Sequence, residues 1–143
     1  MAITSAICTS FKVEILKGVH DFTASSGNTF NLALYTSDAS LGASTTAYTT
    51  SNEVSGSGYT AKGNALTSVT PVADSTTAVC DFADTSFTSA SFTARGCMIF
   101  NDSATGDPAV CVIDFGSDKT VTSGTFTIQF PAADASNDIV RIA

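Results

Sequence analysis

The spacing of the apolar residues changes once along this chain, at Gly18, and that change restricts the fold more than any motif does. Between Ser5 and Lys17, Ile7, Phe11 and Ile15 fall at i, i+4 and i+8 with Cys8 beside them, which puts one apolar stripe on a helix over about 5–17. Gly18 is a natural stop, because the residue after a helix often takes the left-handed backbone that glycine adopts without strain. Beyond it the pattern alternates. Phe30, Leu32 and Leu34 interleave with Asn31, Ala33 and Tyr35, and Phe126, Ile128 and Phe130 with Thr125, Thr127 and Gln129. Further strands are expected at 65–72, 76–82, 91–100, 109–115 and 138–143, rich in Val, Ile, Phe and Thr and separated by Gly, Asp, Asn and Ser. One short N-terminal helix followed by strands alone argues for an antiparallel sandwich or barrel, and the expected fold is mainly β, a jelly-roll-like antiparallel β-sandwich. With 143 residues and 43% apolar content, a single domain over 1–143 has enough material for its core.

Two parts of this pattern ask for more than one set of neighbours. Val13 and Leu16 lie off the helical stripe, so the helix is expected to satisfy a second apolar contact. The segments "SFTARGCMIF" and "AVCVIDF" flank the turn-rich "NDSATGDP" and read as a hairpin. Centred near Ala104, it would set Cys97 opposite Cys111 and make both faces apolar, so that both need cover from the helix, a long loop or another subunit. A disulfide straight across a ladder is geometrically demanding, and the four cysteines are read as buried reduced thiols. The Ser/Thr/Gly-rich segment 37–63 carries almost no charge. It is either an ordinary surface loop that folds back over the domain, or an interaction arm with Tyr48 and Tyr59 as anchors.

Charge narrows the partners. The formal net charge is −7, and the six cations are scattered rather than clustered, which argues against nucleic acid and against an anionic membrane surface. No run of eighteen apolar residues and no basic leader-like start is present, so neither spanning nor export is expected. No cofactor, metal or catalytic residue is assigned. "DFGSDK" at 114–119 lacks every companion of the kinase motif, and "SGSGYTAKG" does not have the order of a phosphate-binding loop. His20, the one histidine, is expected to make a hydrogen bond at the helix end. Asp102 and Asp107 are read as turn residues rather than calcium ligands.

The strings "ICTSFKVEILKGVHDF", "FNLALYTSDASLGASTTAYTTSNEVSGSGYTAKGNALTSV" and "VCVIDFGSDKTVTSGTFTIQFPAADASNDIVRIA" cover most of the chain and resemble a family of short virion proteins of tailed bacteriophages and prophages. The resemblance implies a non-enzymatic structural protein made in the bacterial host cytoplasm. Its expected role is capsid decoration or cement on the exterior of the shell, where its partners are the major capsid protein and copies of itself. The alternative it leaves open is a tail or tail-fibre component that binds a host glycan. On either reading Val13, Leu16, Tyr48 and Tyr59 are the candidate interface residues.

Overall fold

The computed structural model describes residues 2–143 and is mainly β, with two antiparallel sheets and one short helix. In chain order the elements are β1 (Ala6–Ile7), α1 (Thr9–Leu16), β2 (Phe30–Tyr35), β3 (Asn64–Ala65), β4 (Ser68–Asp74), β5 (Thr77–Phe82), β6 (Thr85–Asn101), β7 (Ala109–Ile128) and β8 (Val140–Ile142). A five-stranded sheet has the order β1-β7-β6-β2-β3, and a three-stranded sheet the order β4-β5-β8. The arrangement is sandwich-like.

The helix is shorter than its apolar spacing suggests. Ile7 is held in β1 opposite Cys111, and Cys8 N donates to Val110 O at 3.0 Å, so their backbone belongs to the sheet before the helix starts. At the other end Gly18 takes φ 72°. Its N–H donates to Ile15 O, and the Val19 N–H to Glu14 O, the paired bonds of a Schellman end. Phe11 is buried, 4.9 Å from the His20 ring and edge-on to Phe22, which stacks on Phe30 at 4.2 Å. This aromatic group fixes the helix to the sheets, and burial of each such ring favours folding by about 1.5–3 kcal/mol.

The β6/β7 hairpin does not have the expected register. Cys97 faces Ile113, and Cys111 faces Ile99: the turn closes one position away from the expected register, with Phe100 opposite Ala109, and a bulge between Ile99 and Phe100 adds a second. A shift of two positions preserves side-chain parity, so the expected faces survive although the cysteine pairing does not. All four cysteines are free and buried.

Near its turn, both faces of the hairpin are covered by the chain itself. Met98, Phe100, Val110, Cys97, Ile99 and Cys111 are all buried. Cover comes in part from 37–63, which folds back along the five-stranded sheet: Ala109 N donates to Thr46 O, Tyr48 N to Asp107 O and Val54 N to Leu34 O. Glycine is required where this segment touches down. A Cβ on Gly63, at φ 65°, would collide with the Leu32 carbonyl, so the Gly-rich run is fitted to β2 rather than loose.

Candidate interaction surface

At about 100° per residue, α1 turns Phe11 and Ile15 toward the core and leaves Lys12, Val13, Leu16 and Lys17 on its outer side. Val13 is 51% exposed and Leu16 89% exposed. Glu14 faces the other way. Its Oε2 lies 3.7 Å from Nε2 of His20, whose side chain is fully buried. Asn101 Nδ2 donates to His20 Nδ1 at 3.1 Å while its Oδ1 accepts from the N–H groups of Ser103 and Ala104, which leaves the imidazole proton on Nε2. Burial holds the His20 pKa below the ordinary histidine value. The residue links the helix end to the hairpin turn, the structural role expected of it.

Tyr48 and Tyr59 are half-buried and point inward. Tyr48 stacks on Phe100 at 4.7 Å and Tyr59 on Phe87 at 5.5 Å. Their hydroxyls donate to the two oxygens of Glu53, at 2.6 Å to Oε2 and 2.7 Å to Oε1, and Oε1 also accepts from Lys62 N at 2.8 Å. Loss of water and the neighbouring carboxylate push Tyr48 up to about 12 and Tyr59 higher still. The four candidate residues are therefore divided: Val13 and Leu16 lie together on the surface, whereas both tyrosines serve to clamp 37–63 to its own domain. Glu53 had one signal in the sequence, as the sole carboxylate between Asp38 and Asp74.

The remaining charged motifs are also structural. Lys62 Nζ bridges Asp102 and Asp107 at 2.7 and 2.9 Å across the hairpin turn. Asp114 of the "DFG" string accepts from Arg95 Nε at 3.0 Å and from Gly116 N at 2.9 Å, which together hold its carboxyl below the usual range. Among the described residues no group of three or more His, Cys, Asp or Glu is placed to hold a metal ion. No described helix is long and apolar enough to cross a membrane.

Leu16 stands at one end of an apolar trough on the flank where the two sheets do not close on each other. Three cavities of about 310, 380 and 570 Å³ lie along it. The first and second share Ile7 of β1, and the second and third share Ile113 of β7 and Ile139 before β8. The largest is walled by Phe115, Phe126 and Phe130. No family model, curated protein or solved structure matches this chain. The surface itself carries the functional argument.

Proposed function

We propose that this chain is a non-enzymatic structural protein of a phage particle, a decoration protein that binds the exterior of the shell formed by the major capsid protein, and that α1 is part of its docking face. The carrying observation is Leu16, a large apolar side chain 89% exposed beside Val13 on the outer side of a helix whose core contacts are already complete. Contiguous exposed apolar surface marks a site where a partner removes it from water. The resemblance in sequence supplies the identity of that partner, and the net charge of −7 favours a position away from packaged DNA. Binding to the assembled shell and not to its dissociated subunits stabilises the shell by mass action.

Copy number tests the reading. Quantitative mass spectrometry of purified virions against the major capsid protein is expected to give hundreds of copies per particle, the order a shell-wide lattice requires; a few copies per particle would exclude decoration. Leu16→Asp should leave the thermal midpoint of the free protein within a few degrees, since the side chain is already in water, while reducing incorporation at least tenfold. The second reading, a tail or fibre component, draws on the Phe115/Phe126/Phe130 wall with Thr127 and Gln129 at its rim, since aromatic faces beside hydrogen-bonding groups suit a sugar ring. Low copy number with binding to host glycans would select it.

A further inference from the structure

We infer that the open flank of the sandwich takes an extended polypeptide segment, apolar at alternate positions and carrying carboxylates, which adds as a strand to the free edge of β7. Three observations point there independently. The first is backbone. β1 covers β7 only at Cys111 and Val112, and past Asp114, whose N–H is taken by Ser5 Oγ at 2.8 Å, no strand among the described residues pairs with that edge out to Ile128. β8, at the facing edge of the other sheet, pairs with β5 alone. Unpaired N–H and C=O groups along an edge are satisfied by an added strand, which an alkyl chain cannot do.

The second is the apolar trough between these edges, whose linked cavities of about 310, 380 and 570 Å³ can receive successive side chains from one face of a strand. The third is charge. The chain has thirteen acidic residues and six basic ones, yet the charged residues that line the trough are Lys12, Lys119 and Arg141, with no Asp or Glu among them. Of the three cations placed elsewhere, Lys62 and Arg95 are held in ion pairs with aspartates, and Lys17 stands exposed at the end of α1 beside Leu16. Among the described residues neither Lys12, Lys119 nor Arg141 has a carboxylate within ion-pair distance; Arg141 Nη1 donates to Ala135 O, and Asp134 and Asp138 lie near enough only to sense its charge. In a chain of net charge −7, an unpaired cationic rim around an apolar trough is complementary to an acidic, apolar segment.

The inference rests on the docking reading above only for who supplies the segment; the binding chemistry belongs to the isolated chain. The probe is a labelled synthetic peptide of alternating Ile and Thr with Asp and Glu at its ends, compared with the same peptide ended in Lys. Fluorescence anisotropy on the full chain should show the acidic peptide binding roughly tenfold tighter than the basic one, with the difference falling as salt rises. Amide hydrogen exchange should gain protection within 115–128. The double change Lys119→Glu with Arg141→Glu should reverse the preference. Equal affinity for the two peptides, no binding of either, or protection confined to other strands would overturn the proposal. So would displacement of the peptide by laurate without any strand protection, which would identify an alkyl-anion site. A shell-wide copy number together with any of these failures would leave decoration standing and remove the strand-addition mechanism alone.

Discussion

Removing the Glu53 carboxylate tests whether 37–63 is held as part of the fold. Glu53→Ala deletes three acceptor contacts at once, to Tyr48 Oη, Tyr59 Oη and Lys62 N, all of 2.8 Å or shorter. A hydrogen bond to a charged group contributes about 1.5–3 kcal/mol, but Tyr48 and Lys62 stand near enough to solvent for water to replace much of what they lose. Tyr59 has less recourse: its oxygen already accepts from Leu34 N at 2.9 Å, and its ring is packed between Phe87 and Phe92. The net loss should be about 3–4 kcal/mol, a large part of the ~5–15 kcal/mol typical of a domain. Glu53→Gln retains the shape and one acceptor oxygen. Its amide nitrogen can donate to Tyr48 Oη after the hydroxyl rotates, so the loss should be about 1–2 kcal/mol. Urea unfolding followed by far-ultraviolet circular dichroism measures both, and amide exchange should show protection failing first within 37–63. If Glu53→Ala loses less than about 1 kcal/mol with exchange in 37–63 unchanged, the clamp is not what holds the segment.

Phe11→Ala leaves a cavity beside His20 and Phe22 and should cost about 3–5 kcal/mol by chemical denaturation, in contrast to the near-neutral Leu16→Asp on the opposite face of the same helix. The thiols should resist disulfide exchange reagents in the folded protein, since burial pushes Cys8 up to about 11, Cys80 and Cys97 to about 12 and Cys111 well above its ordinary value; labelling only after unfolding, and equal intact mass with and without reductant, are the expected results. His20 gives the pH dependence a definite sign. Its folded pKa lies below the unfolded value of about 6.5, so the native state binds fewer protons there, and the His20 contribution is present above the unfolded pKa and is lost as pH falls from it through the lowered folded pKa. The difference in unfolding free energy between the unaltered protein and His20→Gln should shrink over that interval, and a constant difference would refute the assignment.

The helix, its stop and most strands were legible because each rests on local chemistry. Gly18 ends α1 by the backbone geometry that its identity suggests, and alternation from Phe30 onward places β2. What failed, failed for non-local reasons. Ile7 fits the helical stripe, yet its own backbone is paired with β7 at Cys111, and a pairing partner more than a hundred residues distant is invisible to a window of eighteen. The cysteine register failed by two positions, one at the turn and one at a bulge that no composition rule locates, while Cys97 and Cys111 stay on one face because a two-residue slip leaves parity intact.

The four candidate interface residues divide along the same line. Val13 and Leu16 could be read because exposure on a short helix follows from angle alone. The fate of Tyr48 and Tyr59 could not, since an aromatic with a hydroxyl is equally suited to a partner or to its own core, and the choice is made by where Glu53 lands. The trough lay further out of reach. It exists because β1 stops after two residues while β7 runs on, so that the β7 edge of one sheet and the β8 edge of the other leave an apolar gap between them. Each of its cations is isolated in sequence, at positions 12, 119 and 141, and becomes a rim only when the sheets bring them to one flank. A scattered charge pattern in sequence therefore excludes a local basic stretch, as nucleic-acid binding by a basic tail would need, but not a basic rim assembled by topology. On the strand-addition proposal, the partner that reads such a rim is apolar and acidic, and extended enough to reach from Lys119 at the largest cavity to Lys12 and Arg141 at the α1 end.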